Sequence, residues 1–148
     1  MRARRGFTLI ELLVSLAIVV AATAFALPAF TRTSGVELTA GARTLAAALR
    51  AARAEAVLSG RPATLEIDLE RRELRLAGRP PRHLGERLAI ELLTARSELT
   101  GERSGAIRFF PDGSSSGGRV TLATGTRRLL VDVAWLTGRV RILEDEER

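Results

Sequence analysis

The residues of this 148-residue chain whose types and spacing could do chemistry are few. Arg139 and Arg141 stand two apart on a predicted strand, so both point to one face, about 6.6 Å apart along it. Arg127 and Arg128 lie close by, across the preceding hairpin. Clustered guanidinium groups can engage phosphates. Glu11 is the single charge between Phe7 and Phe30, where a carboxylate needs a partner. The Asp112–Gly118 loop offers one carboxylate, serines and carbonyls. Calcium takes 6–8 oxygen ligands, usually several of them carboxylates, so this loop reads as a glycine-rich hairpin connection.

Other chemistry is excluded by what the chain lacks. His83 is the one histidine, in a proline-rich stretch near Arg82 and Gly85, and reads as a solvated loop residue rather than part of a Ser/His/Asp set. All 23 basic residues are arginines, so there is no P-loop lysine, and there is no GxGxxG. Without cysteine there is no disulfide, thiolate zinc site or cysteine nucleophile. Glu66, Asp68 and Glu70 alternate as the polar face of a half-buried strand does. Glu144-Asp145-Glu146-Glu147 reads as a solvated tail. The expectation is a non-enzyme with no metal or cofactor.

The elements that would position these residues begin with an apolar run. Leu12 to Phe30 are 19 consecutive uncharged, mostly apolar residues. A spanning helix needs about 20. Arg2, Arg4 and Arg5 precede the run and no arginine follows until Arg32, so the N-terminus is expected in the cytoplasm and the rest outside. A cleaved secretory signal would have a small-x-small site, which Ala22-Thr23-Ala24 or Ala24-Phe25-Ala26 could supply. A plain signal anchor would have the run without a site. Neither accounts for Glu11.

A third reading does. Arg4-Arg5-Gly6-Phe7-Thr8-Leu9-Ile10-Glu11-Leu12 resembles the class III signal of type IV pilins and type II secretion pseudopilins. The resemblance implies cleavage by a prepilin peptidase between Gly6 and Phe7, and N-methylation of Phe7. Glycine suits an active site that grips extended backbone. The helix is then retained as the stem by which subunits pack. The resemblance further implies that Glu11 neutralises the N-terminal amine of a neighbouring subunit, and that Pro28 marks the place where the stem helix kinks or loosens. A proline inside a helix removes one hydrogen bond and crowds the preceding turn.

Beyond the bilayer, Leu38, Ala42, Leu45, Leu49, Ala52 and Ala56 recur at spacings of four and three, an apolar stripe on one helical face. Arg43, Arg50, Arg53 and Glu55 fall off it, and Gly35 and Gly41 are expected to weaken the junction. Ser59-Gly60-Arg61-Pro62 ends the helix. Thereafter the period becomes two. Strands are expected at Leu65–Leu69, Glu73–Leu76, Leu88–Leu92, Ala106–Phe110, Arg119–Ala123, Leu129–Trp135 and Arg139–Leu143, about six or seven in all. Leu129, Val131, Val133 and Trp135 are expected to share an inward face, as are Val140 and Ile142. The fold class is α+β: a long N-terminal helix packed on an antiparallel β-rich head. The organisation expected is a leader at 1–6, a stem at 7–30, an amphipathic continuation at 31–60, a head at 61–143 and an acidic tail at 144–148.

Ile107 to Val120, followed by Val131-Asp132-Val133 and Thr137-Gly138-Arg139-Val140, is similar to the GspH/FimT group of minor pilin-like proteins. The resemblance is good over the stem and the C-terminal third, and over 63–105 it amounts only to strand pattern. It implies a minor pseudopilin near the tip of a periplasmic type II secretion filament, anchored by one inner-membrane helix. The partners implied are the prepilin peptidase, other major and minor pseudopilins, the inner-membrane assembly platform and secreted cargo. The alternative is a minor type IV pilin for DNA uptake. Gly138-Arg139-Val140-Arg141 resembles the glycine-arginine-x-arginine signature tied to DNA binding there, with Arg127 and Arg128 beside it. Loss of residues 1–6 lowers the side-chain charge from +6 to +3, and the acidic tail follows close behind Arg141, both of which oppose DNA.

Overall fold

A computed structural model describes residues 8–94 and 104–144, with 23–34 described as backbone only. The chain divides into two compact units, Met1–Thr33 and Ser34–Arg148. Helix α1 (Leu9–Ser59) contributes to both and runs continuously through Pro28, so the hydrogen bond lost there does not end it. In the first unit every side chain described from Leu9 to Ala22 is exposed, whichever way it faces. Among the described residues no helix is long and apolar enough to cross a membrane.

The second unit holds the core. Leu38, Ala42, Leu45, Leu49, Ala52 and Ala56 are all buried, while Arg43, Arg50, Arg53 and Glu55 are exposed, so the stripe is the packed face of α1. Alanine at half of these positions lets the helix lie close to what it covers. One close approach is at Gly41, where an added Cβ would sit 2.5 Å from Leu88 Cδ1 and 2.9 Å from the Leu84 carbonyl. Gly41 therefore seats the segment 84–88 against the helix, a contact role beyond the weakening expected of it. At its C-terminal end α1 stops where Gly60 takes φ +66°.

Among the described residues eight strands follow: β1 (Ala63–Asp68), β2 (Glu73–Leu76), β3 (Arg82–His83), β4 (Ala89–Thr94), β5 (Ser104–Phe109), β6 (Gly118–Thr124), β7 (Arg127–Val133) and β8 (Val140–Glu144). They form two four-stranded antiparallel sheets, ordered β3-β2-β1-β5 and β4-β6-β7-β8. Alternation decides the inward faces. Leu65 and Ile67 of β1 stand opposite Leu76 and Leu74 of β2, and all four are buried. In the second sheet Val120 and Leu122 face Val131 and Leu129, again all buried. Among the described residues Phe109 is the largest fully buried side chain. Each such residue contributes about 1.5–3 kcal/mol relative to exposure. The α+β reading holds.

Three details depart from the sequence reading. His83 is not in a loop: it pairs with Glu73 across β2 and β3, and its Nε2 lies 3.1 Å from Glu73 Oε1. Trp135 does not pack inside. β7 ends at Val133, the chain turns through Ala134–Gly138, and Trp135 is 68% exposed beside an equally open Leu136. The alternation that placed it inward had already stopped. Ile142 is 38% exposed, because β8 is the sheet edge and buries only Val140.

Candidate functional site

Two regions hold the residues singled out from the sequence. The first is the start of α1. Thr8 is the N-cap: its Oγ1 accepts the Glu11 N–H at 3.3 Å, and its carbonyl accepts the N–H groups of Glu11 and Leu12 at 3.1 and 3.2 Å. Thr8-Leu9-Ile10-Glu11 therefore has capping-box spacing, with Glu11 in the first turn, where a carboxylate also meets the positive end of the helix dipole. The sequence reading gave Glu11 one role. The threonine three residues before it was the signal for a second. Around this cap Leu9, Ile10, Leu12 and Leu13 are all exposed, so the turn that carries Glu11 is ringed by apolar side chains for other molecules to cover. Gly6 and Phe7 lie outside the described residues, and Pro28 belongs to the stretch whose side chains are not described.

The second region is the arginine face, and the fold distributes it. Arg127 lies on the side of β7 that carries Leu129 and Val131, and one of its terminal nitrogens lies 2.5 Å from where a Cβ on Gly35 would stand. Arg128 is on the opposite side of β7, shared with Asp132. Arg141 stands directly across from Asp132, four residues and about 13 Å along the strand from Arg128. Asp132 Oδ1 also accepts two hydrogen bonds from Arg119, Nε and a terminal nitrogen each at 3.1 Å. A carboxylate and a further guanidinium thus stand beside Arg141. Arg139 precedes β8 and lines a different feature.

That feature is a groove of about 630 Å³ between the last turns of α1 and the turn before β8, lined by Arg50, Arg53, Val57 and Leu58 on one side and Gly138 and Arg139 on the other. Arg53 donates from Nε to the Gly113 carbonyl at 3.0 Å, and Arg50 donates to the Val140 carbonyl at 3.4 Å. Gly138 takes φ +59°, and a Cβ there would collide with the Gly113 carbonyl and stand 2.9 Å from Arg53 Nε. Glycine is what lets the turn close over the arginine. Sequence reasoning passed over Arg50 and Arg53 as merely off the stripe. Their spacing of three, which puts both on one helical face, was the available signal.

The 110–117 loop is held by its own groups and by the backbone of β5 and of the turn after β7. Asp112 Oδ1 accepts the Ser114 N–H at 2.9 Å and the Ser114 hydroxyl at 2.6 Å. These bonds hold its carboxyl below the usual carboxylate value, the side-chain bond from Ser114 contributing most. Ser115 N–H donates to the Trp135 carbonyl and Ser116 N–H to the Arg108 carbonyl. Among the described residues, no three His, Cys, Asp or Glu side chains gather as a metal site would require.

Comparison with known proteins bears on both regions. The family model for type II transport protein GspH matches residues 41–137, and that for the prokaryotic N-terminal methylation motif matches residues 1–27. The type II secretion system protein H of Xanthomonas campestris pv. campestris is 42% identical over 65 residues, a stretch covering 42% of this chain and 38% of that protein. Among solved structures, the minor pseudopilin EpsH from the type 2 secretion system of Vibrio cholerae is similar with a TM-score of 0.59 at 17% identity, covering 75% of this chain and 99% of that one. The type IV minor pilin FimU of Pseudomonas aeruginosa is similar with a TM-score of 0.58 at 16% identity, covering 78% and 97%. At such identities these two establish a shared pilin-like fold.

Proposed function

This chain belongs to the GspH family of type II transport proteins, and we propose that it works as a minor pseudopilin, a structural subunit near the tip of a type II secretion filament that supports protein export. The observation that carries the reading is the pairing of two matches on one chain: the methylation motif over 1–27 and the GspH family over 41–137, which contains most of the buried core. In this reading the prepilin peptidase cuts between Gly6 and Phe7, and Phe7 is N-methylated. The apolar helix anchors the precursor in the inner membrane with its N-terminus cytoplasmic and its head periplasmic. After extraction by the assembly platform, the exposed apolar side chains of Leu9–Ala22 meet neighbouring stems, and Glu11 pairs with the amine of an adjacent subunit. Pro28 loosens the stem within the packed filament. The head then meets other pseudopilins and secreted cargo.

The alternative, DNA contact through Arg127, Arg128, Arg139 and Arg141, asks for one joined basic surface. Asp132 beside Arg141, and the placement of Arg127 and Arg139 at separate features, do not favour it.

The test is a deletion strain read in two assays. Loss of the secreted-protein profile with normal uptake of added DNA is the expected result. Intact secretion with lost DNA uptake would overturn the proposal and move the protein to a type IV pilus.

A further inference from the structure

The groove between α1 and the turn before β8 has a chemistry the proposed function leaves unassigned. Three guanidinium groups line it, and no carboxylate does. Arg50, Arg53 and Arg139 have no ion-pair partner among the described residues, whereas Glu55 on the neighbouring face pairs with Arg79 and Asp132 with Arg119. Two of the three are pre-positioned: Arg50 and Arg53 are each tethered by a backbone carbonyl, which leaves further N–H groups of each fork for a ligand. Apart from Thr137 and Gly138, the rest of the lining is aliphatic: Ala54, Val57, Leu58 and Val140. Val57 is 49% exposed and Leu58 is 86% exposed, both at the last turn of a helix whose other face is packed.

We infer that this groove is a docking site for an acidic peptide segment bearing an aliphatic side chain, supplied by a neighbouring protein subunit of the filament. The inference rests on the pseudopilus reading and gives the head's contact a location. Carboxylates meet the guanidinium forks, which suit them in pairs. The aliphatic group covers Val57 and Leu58. Those two residues favour a peptide over a nucleic acid, since the phosphates that would meet the guanidiniums bring no aliphatic group to cover them. Arg139 serves here as a groove residue with Arg50 and Arg53, apart from Arg127, Arg128 and Arg141.

Among the described residues, the unit Ser34–Arg148 contains every buried core residue, from Leu38 to Val140, so it is the part to study as a fragment. The experiment is an NMR titration of that fragment with the synthetic hexapeptide Leu-Glu-Asp-Glu-Leu-Glu, and with its neutral counterpart Leu-Gln-Asn-Gln-Leu-Gln. The acidic peptide should shift the amides of 50–58 and 137–140, and the neutral one should not. Exposed charge pairs contribute modestly, so Arg50→Gln with Arg139→Gln should weaken binding about fivefold and remove most of its salt dependence. Leu58→Ser should weaken binding while keeping that salt dependence. Arg53 is left intact because it also ties down Gly113. Absence of localised shifts at millimolar peptide overturns the inference. So does displacement of the peptide by a short DNA duplex at lower concentration, which assigns the groove to nucleic acid. Concentration-dependent shifts of the same amides without peptide also overturn it, since a second copy is then the occupant. None of these failures touches the secretion phenotype, which tests the pseudopilus reading separately.

Discussion

Gly41→Ala is the substitution whose sign depends most directly on the packing of α1. In an exposed helix interior, alanine for glycine stabilises by about 0.8–1 kcal/mol. Here the new methyl would stand 2.5 Å from Leu88 Cδ1 and 2.9 Å from the Leu84 carbonyl. Leu88 is fully buried, so its side chain cannot swing into open space, and the carbonyl is backbone. Overpacking of this kind costs about 1–3 kcal/mol. The two effects together leave a net loss of about 1 kcal/mol. For a unit of about 115 residues at about 2.1 cal/mol/K per residue, that is a fall in Tm of about 4 °C. Gly41→Val gives up part of the propensity gain and adds two more methyls, so its loss should reach about 2–4 kcal/mol. Urea unfolding of the 34–148 fragment measures both. An alanine variant more stable than the parent by the full propensity gain would refute the close seat of 84–88 on the helix.

Two more predictions concern charge. Glu11→Gln keeps a side chain able to complete the cap begun by Thr8 but removes the charge, whereas Glu11→Ala removes both. If charge matching governs assembly, both variants should mature to the mass of a chain cut after Gly6, and both should enter filaments poorly. Normal incorporation of the glutamine variant, with the alanine variant excluded, would make the cap the working role. At Asp112, the hydrogen bonds from Ser114 favour the ionised carboxyl, so their stabilisation is complete above the ordinary carboxylate pKa and is lost as pH falls through the lower folded value. Ser114→Ala should raise the Asp112 midpoint toward the ordinary value in an NMR titration. An unchanged midpoint would sink that assignment.

What the sequence made legible was whatever repeats with a regular period. The α1 stripe, the hairpin of β1 and β2 and the inward faces of β6 and β7 follow from spacings of 3.6 or 2, because a long run of alternation leaves one face that water must not reach. The signal failed where the run stopped. Trp135 continued the parity of Leu129, Val131 and Val133, yet no strand carried it, and one turn placed it in solvent. His83 went unread as a strand residue because two residues are too few for a period, and only pairing with Glu73 and Leu74 defines β3. At the N-terminus the motif was legible as chemistry, and Thr8, three residues before Glu11, was an unread signal for the capping hydrogen bond that the structure shows.

The same boundary between periodic and aperiodic chain separates what holds the head together from what it presents. The alternating faces of β1, β2, β6 and β7 are consumed by the core. The exposed Val57, Leu58, Trp135 and Leu136 all sit at an element's end or just past it, where packing no longer dictates residue type. Arg50 and Arg53 are regular helix residues, but they become a site only because the turn at Gly138 closes beside them. A helix face and a loop 60 to 90 residues later must meet before those guanidiniums share a groove. No local window contains both halves, so a reading confined to neighbours in sequence groups Arg139 with Arg141. The fold instead sets Arg139 beside the helix and leaves Arg141 across from Asp132. Substitutions in the arginine set should accordingly sort by groove, with Arg139 tracking Arg50 rather than its neighbour two residues on.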